Sequence, residues 1–248
     1  MIRLADRDIL LKLSCDDPFY TRVLSLFESY GAGYDFVGFW YQENEGEVSA
    51  LISRFEDKFS LYLTDGAELE ETAAFLSFQG AGSVMYNSRY GLDIPYKRGI
   101  SGQALRYKGE IYNSDIEIYS PDPKSLYELI KACESEIFIV PDYMMFLSDV
   151  THRSNLDKCT ISAARVGGAL ASSVMTVSET EFAAILGAVC THPDYRRRGL
   201  SRELVRDLSS RLTQRGRAVY VFSASDNNTR FYQGSGFEIY SGFTELFF

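Results

Sequence analysis

The stretch VCTHPDYRRRGLSRELV, residues 189–205, places three consecutive arginines and a glycine directly in front of an amphipathic segment. From Leu200 onward, apolar residues recur every three or four positions, which is the spacing of one helix face. The members of this face are Leu200, Leu204, Val205, Leu208 and Leu212. Gly216 follows as a typical helix stop. The turn RRRGLS is therefore predicted to open a helix.

This turn has the chemistry of an anion site. The first N–H groups of a helix have no intrahelical partner, and the helix dipole favours negative charge there. Gly199 lets the main chain approach a ligand closely, and Arg196 to Arg198 can add charge-assisted hydrogen bonds. Arginines oppose the dipole at a helix start, so solvated loop charge is the weaker explanation. We expect a pyrophosphate group here.

The charge distribution favours a small anionic ligand. Residues 188–217 contain eight arginines against Asp194, Glu203 and Asp207, a balance of +5, whereas the whole chain carries a net charge of -9. Nucleic-acid-binding proteins usually spread basic charge over a broad face and have a high pI, but this pI is about 4.9. Nucleic acid is therefore not an expected partner.

Composition indicates a globular protein with ample core material. The chain has 248 residues, of which 46% are hydrophobic. Asp6 and Asp8 interrupt the start, where a secretory signal needs an apolar stretch, and every apolar run is far shorter than a membrane span of roughly 18 residues. We expect a cytoplasmic protein with no membrane association. The four cysteines show no CxxC spacing, so neither a metal site nor a disulfide is expected.

The elements around the turn follow a recognisable order. An apolar strand is predicted at 181–189, ending before Pro193, and another at 218–225. A short helix, a glycine turn and two closing strands are predicted after them. Upstream, we predict a strand in DIEIYSP, helices at 123–135 and 141–155, and a hairpin turning at 166–168.

These motifs resemble the GNAT superfamily of CoA-dependent N-acyltransferases. RRRGLS is similar to the family's pyrophosphate loop, Q/R-x-x-G-x-G/A, with Ser201 at the position usually occupied by Gly or Ala. Tyr232, Gly236 and Phe237 are in register with the downstream family segment N-x-x-A-x-x-x-Y-x-x-x-G-F, in which Ser225 replaces the usual Asn. The resemblance covers roughly residues 112–248.

The resemblance implies a site for acetyl-CoA as co-substrate, with no metal. The residues implied in binding it are Val189, Cys190, Thr191, Arg196, Arg197, Arg198, Gly199, Leu200, Ser201, Ser225, Asn228 and Tyr232.

Two residues are implied in the chemistry. Tyr232 matches the family's tyrosine near the sulfur and is the predicted general acid, with a packed core aromatic as the alternative. Glu181 is the predicted base, with Glu179 as runner-up. Cys190 has no legible His or acid partner, so we interpret it as a small residue of the loop.

The first 110 residues repeat the same order of elements, which indicates an internal duplication. At the turn equivalent to RRRGLS this half reads TDGAELEE, whose carboxylates would repel a pyrophosphate. We therefore predict an α/β protein with mixed sheets, built from tandem GNAT-like folds. Residues 1–110 form a degenerate, non-catalytic domain and residues 111–248 the catalytic one.

The sequence thus predicts an N-acetyltransferase that acts through a ternary complex, without a covalent enzyme intermediate. The acceptor is an amine of a small molecule or a peptide, and a homodimer is left open. Two alternatives remain: a non-catalytic protein that senses acyl-CoA, and an acyltransferase that uses a longer acyl-CoA.

Overall fold

The computed structural model describes residues 1–135 and 139–248, and the chain divides into two compact units. The first comprises Met1–Leu105, Phe222–Thr229 and Ile239–Phe248, and the second comprises Arg106–Val221 and Arg230–Glu238. Most of each unit is therefore one continuous half of the sequence, while the last thirty or so residues contribute to both.

The first unit is built on a mixed sheet. Its elements are β1 (Arg3–Leu4), α1 (Arg7–Leu11), α2 (Pro18–Tyr30), β2 (Val37–Asn44), β3 (Glu47–Phe55), β4 (Lys58–Leu63), α3 (Leu69–Phe78), β5 (Ser83–Asn87) and most of β6 (Arg98–Tyr107). Strands β1 to β4 follow one another by antiparallel pairing, and β4 pairs parallel with β5. The antiparallel partner of β5 on its other side is the end of the last strand, β12 (Phe237–Phe247).

The second unit holds the arginine-rich turn. Its elements are β7 (Ile118–Tyr119), α4 (Pro123–Ala132), α5 (Tyr143–Asn155), β8 (Ile161–Val166), β9 (Ala169–Glu179), β10 (Ala183–Thr191), a single 3-10 turn (Pro193–Tyr195), α6 (Leu200–Gln214) and most of β11 (Ala218–Ser223). Helix α7 (Asp226–Gln233) ends in this unit. The sheet order is β7-β8-β9-β10-β11, in which only the β10–β11 pair is parallel.

Helix α6 has the face that its sequence predicts. Its five periodic apolar residues are at most 9% exposed, and four of them are fully buried. Helices α4 and α5 form a separate core with β9 and β10, in which Leu126, Val150, Met175 and Cys190 are buried together. Because alternate side chains of a strand point to opposite faces, β9 packs against α6 on one face and against α4 and α5 on the other.

Two predicted elements need correction, and one strand was not predicted. The strand predicted at 181–189 spans Ala183–Thr191, because residues 181–182 form a bend after Thr180. The two predicted closing strands are one strand, β12, since its single glycine, Gly242, lies within the ladder. Strand β6 was missed because its glycines read as a loop. At Gly102 a side chain would meet the carbonyl oxygen of Ser223 at 2.3 Å, so glycine permits close strand packing there.

Candidate active site

Strand β10 contains a β-bulge in its second half. Its pairing with β9 runs from Gly187–Met175 directly to Cys190–Ser173, so β10 has one extra residue between these pairs. Ala188, inside the bulge, has a φ of 48°, in the left-handed region that non-glycine residues rarely occupy. Gly187 is required by crowding, since a Cβ atom there would lie 2.5 Å from Val177. The left-handed backbone at Ala188 and the glycine at position 187 are therefore both parts of the bulge geometry.

The bulge coincides with the end of the parallel pairing. Strand β10 pairs with β11 from Ala183 to Leu186 and no further. Beyond Leu186, the main chain of β10 is paired with β9 alone in the part of the chain that the structure describes. Val189, Cys190 and Thr191, all predicted ligand contacts, lie on this half-paired segment. Its free edge offers main-chain N–H and C=O groups to a ligand.

The turn after β10 is fixed by its own polar groups. The N–H of Asp194 donates to Nδ1 of His192 at 3.3 Å, so His192 supports the turn as its position in the motif suggests. Nε of Arg196 donates to the carbonyl oxygen of Thr191 at 3.2 Å. Arg197 has a φ of 63° and Gly199 a φ of 80°. These two left-handed residues turn the chain sharply into α6.

The N-terminus of α6 is open for a ligand. Gly199 is its N-cap, and no side chain caps the helix within the described residues. The N–H of Glu203 is the first to find an intrahelical partner, the carbonyl of Gly199 at 3.1 Å. Arg196, Arg197 and Arg198 are all exposed beside this end, while Leu200 is buried and anchors the first turn. Main-chain donors and three guanidinium groups therefore surround one helix end.

A hydroxyl cluster ties this helix end to the bulged strand. Oγ of Ser201 lies 2.5 Å from Oγ1 of Thr191 and 3.2 Å from Oγ of Ser172 on β9. Ser172 also donates to the carbonyl oxygen of Cys190 at 2.8 Å. Serine at position 201, which departs from the family pattern, thus has a structural partner on each of two strands. Sequence reasoning missed Ser172, because its partners are 18 and 29 residues away.

Tyr232 belongs to an aromatic cluster in the same unit. It is 9% exposed, and its ring centroid lies 5.8 Å from that of Phe237, which in turn lies 5.2 Å from that of Tyr107. Burial raises the pKa of Tyr232 to about 12, so its hydroxyl is protonated at neutral pH. The packed-aromatic and proton-donor roles of Tyr232 are therefore compatible.

Ser225 and Asn228 lie at the start of α7 and are counted with the first unit. Oγ of Ser225 accepts from the N–H of Asn228 at 3.2 Å, and its carbonyl accepts from the N–H of Thr229 at 2.9 Å. Ser225 is thus a helix cap. Asn228 has an exposed side chain in the first turn. Their predicted contact with the cofactor stays a prediction.

The two candidate bases occupy very different environments. Glu179 is 2% exposed; it accepts from Oγ1 of Thr176 at 2.7 Å and pairs with the guanidinium of Arg217. Such a carboxylate is fixed in a structural ion pair. Glu181 is exposed in the bend before β10, and the rise of a strand puts it roughly 20 Å from the bulge at Ala188. The structure brings neither carboxylate to the bulge.

No three His, Cys, Asp or Glu side chains within residues 1–135 and 139–248 are placed to share a metal ion. No helix in these same ranges has the length and apolar character needed to cross a membrane.

Comparison with known proteins agrees with this geometry. Residues 167–246 match the family model described as FR47-like protein. A GCN5-related N-acetyltransferase from Sphaerobacter thermophilus superposes with a TM-score of 0.63 at 14% identity, covering 99% of this chain and 94% of that one. No curated protein matches the sequence.

Two further structures extend the likeness. A protein described as a putative acetyltransferase from the GNAT family, from Novosphingobium aromaticivorans, gives a TM-score of 0.56 at 20% identity, over 79% of this chain and 86% of that one. A tandem GNAT protein from the clavulanic acid biosynthesis pathway gives 0.55 at 13% identity, over 94% and 89%.

The fold is shared with acetyltransferases of known structure. The chain has the fold of these GNAT-family structures, and the region that matches the FR47-like family model lies in its second half. The predicted α/β fold class is confirmed, with mixed sheets and relatives that include a tandem GNAT protein. The predicted division at residue 110 and the non-catalytic role of the first domain stay predictions.

Proposed function

We propose that the second unit transfers an acetyl group from acetyl-CoA to an amine. One observation carries the proposal: the bulge at Ala188 ends the β10–β11 pairing directly before a turn of three arginines that opens α6. A strand edge for an amide-bearing chain and a helix end for a pyrophosphate thus follow each other within 15 residues, at 187–201. CoA carries both groups in that order.

The pyrophosphate is assigned to the start of α6. The free N–H groups after Gly199 donate to its oxygens, and the guanidinium groups of Arg197 and Arg198 add charge. Arg196 is partly used in the turn itself, through Thr191. Because Arg196 also holds the turn, replacing Arg198 tests the proposed pyrophosphate contact more directly than replacing Arg196 does.

The thioester end is assigned to the bulged edge of β10. Pantetheine amides pair with main-chain groups of residues 187–191, and an N–H at the bulge stabilises the oxyanion of the tetrahedral intermediate. The neutral amine attacks the thioester carbon directly, the C–S bond breaks, and Tyr232 donates a proton to the departing thiolate. No enzyme nucleophile is required.

The amine loses its proton without an assigned carboxylate. Glu179 is held by Arg217, and Glu181 lies at the other end of β10. Deprotonation by water or by an ordered water chain suffices for an amine of low pKa. The proposed acceptor is an amine of a small molecule or a peptide, and acetyl is the proposed acyl group.

One experiment tests activity and acceptor class together. Thermal stability is measured with and without acetyl-CoA, and thiol release is then followed across amines, amino acids, polyamines and short peptides. Stabilisation by acetyl-CoA with thiol release for one amine class is expected. Absence of both stabilisation and thiol release contradicts the proposal, and stabilisation by a longer acyl-CoA alone would change the assigned acyl group.

A second candidate function is a sensor that binds acyl-CoA without turnover. The observation in its favour is that neither predicted base reaches the bulge. Stabilisation by acetyl-CoA with no thiol release for any amine would select this function. A cytoplasmic location stays a prediction of the sequence.

A further inference from the structure

Two of the four free cysteines meet beneath the arginine turn. Cys133 is the C-cap of α4, and Cys190 lies on β10 directly after the bulge. Both side chains belong to one buried cluster formed by α4, α5, β9 and β10. Sγ of Cys133 also lies 3.3 Å from the carbonyl oxygen of Thr191, and Sγ of Cys190 lies 3.2 Å from Oγ of Ser173. The pair joins α4 to the last residues of β10.

The surroundings distinguish the two sulfur atoms. Hydrogen bonding by Cys190, followed by the guanidinium of Arg196 and then His192, lowers the pKa of Cys133 despite its burial. The C-terminal end of α4 disfavours an anion, so Cys190 and Arg196 are the groups that stabilise the Cys133 thiolate. The hydrogen bond to Cys133 and burial raise the pKa of Cys190. These surroundings favour the nucleophilic thiolate at Cys133 and the protonated thiol at Cys190.

We propose that Cys133 and Cys190 form a reversible disulfide in response to hydrogen peroxide, and that this disulfide weakens acetyl-CoA binding. The Cys133 thiolate attacks one peroxide oxygen, the O–O bond breaks, hydroxide leaves, and Cys133 becomes a sulfenic acid. Cys190 then attacks this sulfur; its proton and the hydroxyl leave as water while the S–S bond forms. Peroxide takes up two electrons, and a dithiol reductant reverses the reaction.

A Cys133–Cys190 disulfide would affect acetyl-CoA binding through the groups that contact the two cysteines. The two sulfur atoms must approach to about 2.05 Å. This movement pulls on Cys190 and Thr191, the residues whose carbonyls accept from Ser172 and from Arg196. It also removes the thiolate charge that faces Arg196. This second half of the inference rests on the proposed acetyl-CoA site, whereas the disulfide itself does not.

The experiment uses the full chain. Reduced protein is treated with hydrogen peroxide, digested after blocking of free thiols, and mapped by mass spectrometry. Cys133→Ser and Cys190→Ser are the test variants. Cys159→Ser is the matched control, because Cys159 lies in the same unit, its Sγ also faces a carbonyl at 3.6 Å, and burial raises its pKa. Acetyl-CoA affinity is measured by calorimetry before oxidation, after it, and after dithiothreitol.

The expected result is a Cys133–Cys190 cross-linked peptide in the wild-type protein and in Cys159→Ser, absent from both test variants. Acetyl-CoA affinity should fall about fivefold or more on oxidation and recover with dithiothreitol. Free Cys133 and Cys190 after peroxide, or earlier reaction of Cys15 or Cys159, overturns the proposal. A disulfide with unchanged affinity overturns its regulatory half. If reduced protein binds no acetyl-CoA, the proposed function fails while the mapped disulfide stands.

Discussion

At the scale of single residues, the three arginines of the turn have different surroundings. Arg196 donates to the carbonyl of Thr191, so part of its hydrogen-bonding capacity holds the turn. Arg198 lies with its guanidinium carbon 5.4 Å from the ring centroid of Tyr195 and is exposed. Its charge is therefore oriented but not neutralised by a carboxylate in any described contact. Arg198 is therefore a better candidate for binding an anionic ligand than for stabilising the fold.

We predict that Arg198→Glu weakens acetyl-CoA binding at least about tenfold, because a charge-assisted hydrogen bond is replaced by repulsion. The melting temperature without ligand should stay unchanged, since Arg198 is exposed. Arg215→Glu is the matched control, as it makes the same charge change at the other end of α6. Calorimetry measures both. Equal losses in the two variants would contradict the assigned site.

Tyr232→Phe should lower turnover about a hundredfold while acetyl-CoA affinity changes less than about twofold, because the proton is needed only as the thiolate leaves. The ring contact with Phe237 is retained, so stability should hold. Steady-state kinetics and calorimetry separate the two effects. Tyr119→Phe, on the distant β7, is the control.

The pH profile checks the same role. Because the pKa of Tyr232 is raised to about 12, its hydroxyl keeps its proton well above neutral pH. Turnover of the wild-type enzyme should therefore rise with pH as the acceptor amine becomes neutral, without an alkaline fall below about pH 10. An alkaline fall that disappears in Tyr232→Phe would show that its proton is lost earlier.

At the scale of elements, the bulge of β10 separates a half that is paired on both sides from a half that is paired on one side. Residues up to Leu186 are paired on both sides and buried, whereas residues from Gly187 on are paired on one side. The strained φ of Ala188 persists because the surrounding ladder fixes it. Strained backbone at the edge of a site is a common feature of binding and catalytic centres.

Ala188→Val should destabilise the fold by about 1–3 kcal/mol and weaken acetyl-CoA binding, because a β-branched residue is disfavoured at positive φ. Ala188→Gly is the matched control: it accepts this φ freely and should stay within about 1 kcal/mol of wild type with normal binding. Urea denaturation and calorimetry give the two readouts. Loss of binding in Ala188→Gly alone would argue against the bulge geometry.

The ion pair between β9 and Arg217 gives another test. Glu179→Ala should destabilise the protein by about 3 kcal/mol, because the Arg217 charge, whose side chain is 22% exposed, loses its partner. Glu181→Ala should change stability by less than about 0.5 kcal/mol, since Glu181 is exposed. Turnover per folded molecule should match wild type in both variants. A selective loss of turnover in Glu181→Ala would restore it as the base.

At the scale of the whole molecule, the start of α3 in the first unit differs in charge from the start of α6 in the second. In the first unit, Oε1 of Gln42 accepts from the N–H of Glu68 at 2.7 Å, directly before α3. Glu71 accepts from the N–H of Ile2 at 2.7 Å and pairs with the N-terminal amine at 3.1 Å. Asp65 pairs with Arg89. This helix end is acidic, whereas that of α6 is basic, and neither has a side-chain cap within the described residues.

We therefore predict one acetyl-CoA bound per chain. Calorimetry of the full chain should give a stoichiometry near one, and Arg198→Glu should weaken that single event without revealing a second. A stoichiometry near two would contradict the degenerate character predicted for the first domain. The oligomeric state, for which a homodimer was left open, can be measured on the same sample by sedimentation.

Some features could be predicted from local pattern alone. The face of α6, its stop at Gly216 and the turn at 166–168 are set by residues within a few positions of one another, and the structure has all of them. Strand β6 and the unity of β12 were not predicted, since glycines in a ladder and in a loop look alike in sequence. The bulge was also missed, because an extra residue exists only relative to the partner strand.

The sequence by itself determined the basic turn at the start of α6: an arginine turn at a helix start is local, and its charge contrasts with a chain of net charge -9. The tertiary structure decided the environment of the chemical groups. It placed Glu179 in an ion pair, Ser201 against Thr191 and Ser172, and Cys133 beside Cys190. These contacts join residues far apart in the chain, and burial and partners set by packing control pKa and reactivity.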